Sequence, residues 1–326
     1  MPAPFGNDLG LLPITAGSIF YVAPSASYSL GGRLGGVAYS ASDGNDGLDA
    51  RRALLTIGQA VTNASANQGD VIALLPGAHT TAAAAAVSKA GLTFIGLPYM
   101  PESGRAVEAV PQVSITGTAA IGVAVTAADC AFYNIKFVPV TQFQAVTFTT
   151  AAHQLRFKHC MIDMQAAVGH ANTKGICATG ATQAPKDLRF QGCYIKAGVA
   201  TTSAGYAIDV GASPQWLIEN NLFYHDGAIA SAVAWSVAVK VNDNANGILR
   251  DNDFIAANLA LAGVTKWVEA VSMTGTSTVQ AIRNTSSVNT GGLLLDDFAA
   301  GDVDLCNNYV STVAGGTGGT LITATT

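Results

Sequence analysis

Cleaving a glycosidic bond takes two carboxylates spaced for a nucleophile or a water. The densest acidic set in this chain is Asp296-Asp297 with Asp302 and Asp304. No basic or aromatic residues surround it, and it reads as a solvated turn. Elimination chemistry takes a calcium-holding group of carboxylates and an Arg or Lys base. Asp163, Asp187, Asp209 and Asp226 recur along the chain, but no Asp-rich motif stacks them in register. The histidines are His79, His153, His159, His170 and His225, and none has H-x-x-x-H or H-E-x-x-H spacing. His225-Asp226 is an adjacent pair, and His153 with His159 would hold a metal only from one shared edge with a third ligand. The G-x-S-x-G and P-loop motifs are absent. No catalytic residue, metal ligand or cofactor is expected. Trp216, Trp235 and Trp267 are the candidate sugar platforms, with burial in the core or between subunits as the competing reading.

The elements that must carry these residues are announced by a phrase that returns. Leu155-Arg-Phe157-Lys-His-Cys160-Met-Ile162 is followed by Leu188-Arg-Phe190-Gln-Gly-Cys193-Tyr-Ile195, with matching residues at the inward positions. A looser form precedes them at Cys130-Ala-Phe132-Tyr-Asn-Ile135-Lys-Phe137. Others follow at Leu217-Ile-Glu-Asn-Asn-Leu222, Leu249-Arg-Asp-Asn-Asp-Phe254 and Leu305-Cys-Asn-Asn-Tyr309. Short strands repeating every 25 to 35 residues or so predict a solenoid, in which each coil buries its apolar face against its neighbours. The expected class is all-β, a single-stranded parallel β-helix. The recurring Asn220-Asn221, Asn252, Asn284 and Asn307-Asn308 are expected where each coil bends, since Asn tolerates the left-handed region and can bond the next coil. Cys160 and Cys193 are expected to stack inside as small apolar groups.

Composition agrees. Of 326 residues, 49% are hydrophobic and only 11% charged, against about 25% charged in an average domain. Scarce Lys and Glu with abundant Ala, Thr, Val and Gly favour strands over helices. A net charge of −5 and a pI near 5.4, with no Lys/Arg run, argue against a nucleic-acid partner. Five cysteines without CxxC spacing indicate neither a disulfide framework nor a zinc site, and suit a reducing cytosol. No secretion signal and no membrane span are read.

Residues 1–18 read as an extended arm. Pro2, Pro4 and Pro13 forbid regular structure, while Phe5, Leu9, Leu11, Leu12 and Ile14 are too apolar for a solvated tail, so they are the candidate partner-binding residues. Residues 19–312 form the solenoid, and the Gly/Thr-rich 313–326 a terminal segment. Within the solenoid, 25–48 is a Gly/Ser/Asp/Asn-rich excursion. Thr56-Ile-Gly-Gln59 has capping-box spacing and opens a helix at about 56–66. Tyr21-Val-Ala-Pro24, Asp43-Gly-Asn-Asp-Gly47, Leu55-Thr-Ile-Gly-Gln-Ala-Val61 and Gly69-Asp-Val-Ile-Ala-Leu-Leu-Pro-Gly77 together resemble the opening of right-handed parallel β-helix proteins of the pectin-lyase-like superfamily. That resemblance implies a helix capping the first coil, then the first coil's strand. It also implies polysaccharide lyases and hydrolases as functional relatives.

Three functions are expected to compete. The first is a non-catalytic structural protein of a tailed-phage virion: a head decoration, fibre or spike subunit. It would be assembled in the host cytoplasm, be homotrimeric, and dock on capsid or tail proteins through the arm. The second is a carbohydrate-active enzyme of the depolymerase kind. The third is a non-catalytic protein binding a host-surface glycan through the tryptophans.

Overall fold

The computed structural model describes residues 17–30, 37–81, 83–97, 111–117, 122–139, 144–164, 174–180, 182–196, 206–225, 237–242, 246–256, 266–271, 278–288, 293–296, 303–312 and 320–322, with several strands towards the C-terminus described by backbone alone. These residues wind as a single-stranded parallel β-helix. A first sheet of ten parallel strands runs from Ile19–Val22 to Val303–Cys306. A second runs from Gly77–Thr81 to Asn308–Thr312 and ends on an antiparallel strand, Thr320–Ile322. A third, of eight strands, runs from Ala85–Val87 to Leu293–Asp296. Among the described residues no helix is long and apolar enough to cross a membrane.

Like positions stack because parallel strands in register place each side chain over its counterpart one coil away. Phe94, Phe132, Phe157 and Phe190 form one such column in the first sheet. Their rings stack at 4.7, 5.1 and 5.0 Å between centroids. Ile115, Phe137, Ile162, Ile195, Phe223 and Phe254 form the facing column in the second sheet. All ten of these residues are almost wholly buried. His79 heads the second column at the N-terminal end, buried, with Nε2 2.8 Å from the Leu75 carbonyl.

From the strand Ala131–Tyr133 onward, each coil leaves the first sheet through one residue in the left-handed region: Asn134, His159, Gly192, Asn220, Asp251, Arg283 and Asn307 in turn. The next residue points inward, and this column reads Ile135, Cys160, Cys193, Asn221, Asn252, Asn284, Asn308. From Asn221 onward it is a hydrogen-bonded ladder. Asn252 Oδ1 accepts from the Asn221 backbone N–H and Nδ2 (both 3.0 Å), and Asn252 Nδ2 donates to Ile218 O and Asn284 Oδ1 (both 2.9 Å). The Asn residues are therefore structural and buried, and the turn residues before them take the strained backbone. In the same column Cys160 and Cys193 are buried thiols, and burial pushes the Cys160 thiol well above its ordinary range.

Helix α1 (Ile57–Asn63) covers the first coil with Ile57, Ala60 and Val61. Its N-cap, Thr56, accepts from the Gln59 N–H at 3.1 Å. Asp43 in turn accepts from the Leu55 and Thr56 N–H groups and the Thr56 hydroxyl. The excursion before the helix packs onto the outside of the first sheet. Tyr28, Leu30, Ala41, Ala50 and Ala53 bury Tyr21, Ala73, Ile95 and Leu97, making a second small core. A hairpin, Ser27–Ser29 with Ala38–Ser40, and hydrogen bonds from Tyr21 N to Gly47 O (2.7 Å) and Tyr28 Oη to Ala50 O (2.5 Å) hold it there.

Candidate functional site

Past the excursion, no described residue covers the outer face of the first sheet, which carries a groove of about 950 Å³. Its position follows from a change in how the coils are led into that sheet. Asp129, Gln154 and Asp187 lead three successive coils in, each in the left-handed region. The turns are tied by N–H to carbonyl bonds, Asp129 to His153 (2.8 Å) and Gln154 to Lys186 (2.7 Å). At Asp187 the register with the next strand shifts, which marks a bulge. The following coil is led in by Ser213-Pro214 instead, with the Ser213 hydroxyl donating to Pro185 O at 2.5 Å. The wall steps aside there, and the groove opens across five coils, from His153 and Gln154 to Thr278 and Gln280.

The floor is apolar, from Pro214, Leu217, Gly247 and Ile248, and amides or hydroxyls of Gln154, Gln215, Asn246, Thr278 and Gln280 edge it. Lys186, Arg189 and Arg250 also line it. Arg156 and Lys158, both exposed, lie one coil towards the N-terminus from Arg189 and Gln191, Arg156 in the column of Arg189 and Lys158 in that of Arg250. Two carboxylates accompany these five cations, and both are engaged. Asp187 Oδ1 accepts from Arg189 Nε at 2.6 Å. Glu219, buried, accepts from Arg250 Nε at 2.6 Å and from the Gln191 amide. His153 Nδ1 accepts from the Lys186 N–H at 3.0 Å, which leaves the ring proton on Nε2.

The structure places the sequence candidates as follows. Trp216 is 3% exposed. It shares the inward column with Leu188, and its indole fills the space above Gly247, where an added Cβ would lie 2.1 Å from the ring. It is therefore packing, not a sugar platform. Trp235 lies outside the described residues, as do Phe5, Leu9, Leu11, Leu12 and Ile14. Trp267 belongs to the strand Lys266–Val271, of which the backbone alone is described. His153 and His159 sit at opposite ends of the strand Arg156–Lys158 and do not converge. Asp163 pairs with Lys136 (2.6 Å) in the second sheet, and Asp209 with Asn242 (2.8 Å) and Lys240 (3.7 Å) in the third. Asp296 and Asp304 fall in different sheets, while Asp226, Asp297, Asp302 and His170 lie outside the described residues. His225 ends the strand Leu222–His225. Among the described residues no three His, Cys, Asp or Glu side chains could hold a metal ion.

What the sequence reading missed is the cation cluster. No Lys/Arg run exists, yet winding brings Arg156, Lys158, Lys186, Arg189 and Arg250 onto one face. The signal was in the repeat itself: Arg156 and Arg189 hold the same outward place in the returning phrase, so they must neighbour one another.

No family model matches the chain, and no curated protein matches it. Among solved structures it is similar to a pectate lyase (16% identity, covering 92% of this chain and 78% of that one, TM-score 0.48). It is also similar to the pectin methylesterase of Erwinia chrysanthemi (10% identity, 90% and 89% covered, TM-score 0.47). An alginate lyase from Paenibacillus aligns at 14% identity over 80% of this chain and 93% of that one, TM-score 0.43. The likeness is one of winding and says nothing of chemistry.

Proposed function

We propose that this chain is a carbohydrate-binding β-helix whose outer groove on the first sheet holds an acidic polysaccharide. The observation that carries the reading is the gathering of five cations on one face of a chain whose net charge is −5. An apolar floor with amide and hydroxyl edges suits the C–H faces and hydroxyls of sugars. Nucleic-acid bases would want aromatic platforms, and the tryptophan among the described lining is turned inward. The two carboxylates are each held by a guanidinium, so the groove reads as a holder. A depolymerase built on the same groove would release reducing or unsaturated ends from the polymer, and a holder would not. The virion reading, with docking through residues 1–18 and a trimeric rod, rests on composition and on residues outside the described part of the chain. It is compatible with a glycan groove presented on the rod's side.

The test is calorimetric binding of polygalacturonate and alginate, with neutral dextran as control. Binding to the acidic polymers should fall as salt rises. Arg156→Gln with Lys186→Gln should weaken it about tenfold, about 1.4 kcal/mol, with unfolding midpoint unchanged. Equal binding to dextran, or no effect of the double substitution, would reject the reading.

A further inference from the structure

Two outward columns run the length of the first sheet, and both change character at one coil boundary. On the trailing side, Arg250, Glu219, Gln191 and Lys158 are succeeded towards the N-terminus by Tyr133, Ile95, Ala73 and Tyr21. Ile95 and Ala73 are fully buried and Tyr21 is 6% exposed, although all three point away from the solenoid's interior. On the leading side, Leu217, Arg189 and the exposed Arg156 are succeeded by Ala131, itself 8% exposed. What buries Tyr21, Ala73 and Ile95 is the excursion described above, with Tyr39 and Tyr133 packed at its margin. A layer packed on a sheet stands roughly 10 Å above it. The layer is pinned at several points: Asp43 to the helix cap, Ala23 N to Leu54 O at 2.9 Å, and Tyr21 N to Gly47 O. At the other end of the groove Thr278 and Gln280 are exposed.

We infer that the described part of the excursion, residues 25–30 and 37–48, together with the segment 49–55 that follows it, is an end wall, so that the groove takes the terminus of an acidic polysaccharide and not its middle. The inference rests on the glycan reading above. A chain lying along the solenoid axis over Gln280, Ile248, Leu217 and Arg189 reaches Arg156 and Lys158 and then meets the wall. Those two exposed cations stand at the blind end, where they would face the anionic terminal sugar.

The experiment compares intact polygalacturonate with its partial hydrolysate at equal uronate concentration, using the full chain and calorimetry to count sites. The wall predicts that sites per uronate rise by the same factor as the number of chain ends. Unchanged sites per uronate, with the protein binding both samples, would overturn the wall and leave the glycan groove standing. Absence of binding to both samples would overturn the groove and the wall together. Arg156→Gln with Lys158→Gln, both exposed positions, should cost more affinity for the short chains than Gln280→Ala at the open end. The reverse order would count against a blind end at Arg156.

Discussion

Residue by residue, the chain puts its polar groups where winding alone would leave gaps. Asn252 is fully buried and uses its whole amide, two bonds accepted and two donated. Removing it orphans groups on both neighbouring coils. Asn252→Ala should therefore cost about 2 to 4 kcal/mol, read as a lowered denaturant midpoint, whereas Thr285→Ala at an exposed position should cost far less. His79 makes a pH-dependent contribution. Burial holds its imidazole below the ordinary 6.5, and the bond to the Leu75 carbonyl opposes that only in part. The unfolded chain therefore takes up this proton first as pH falls. Its contribution is complete above the ordinary value and is lost below it, down to the folded value. His79→Gln, measured by denaturant unfolding between about pH 7 and pH 5, should flatten that acid-side decline. An unchanged slope would mean His79 is not held neutral. The Asp251–Arg283 pair, bidentate at 2.7 Å, holds the Asp251 carboxyl below its ordinary range. It is largely exposed, and such pairs add little to stability.

At the level of elements, the legible part was the part with identical inward residues. Phe132, Phe157 and Phe190, with Cys160 and Cys193, fix the face of each strand, so the coils from residue 130 to 195 could be drawn from the sequence. The frame then slipped by one. The phrase was read as starting at Leu217, whereas Trp216 and Ile218 are the inward pair, matching Leu188 and Phe190. With a two-residue period, a slip of one turns every side chain to the opposite face, and in the observed register Trp216 is inward, as the competing core-packing reading expects. Gly247 is the partner that makes room for the indole, so Gly247→Ala should destabilise by about 1 to 3 kcal/mol through overpacking and shift tryptophan fluorescence. In a Trp216→Leu background the same alanine should cost much less, and additive effects would contradict the packing. The covered first coils also had a readable sign. Val71-Ile-Ala-Leu-Leu75 is apolar without alternation, as expected of a strand buried on both faces. Its second cover could not be identified, because residues 25–48 look like solvated turns when read alone.

As a whole molecule, the chain is a stack that presents different chemistry along one side: a sealed apolar layer over the first coils, then a cationic groove. Neither could be read from local composition, because the residues that meet there are about one coil apart in sequence and come together only once the coil length is fixed. The most direct measurement couples polygalacturonate to the protein with a water-soluble carbodiimide, which joins a uronate carboxyl to a lysine amine, and maps the sugar-bearing lysines by mass spectrometry. Lys158 and Lys186 should carry the sugar. Lys136 and Lys196 on the second sheet, and Lys174 and Lys240 on the third, should be spared. Sugar found chiefly on those four, or spread evenly over all lysines, would contradict a binding face on the first sheet.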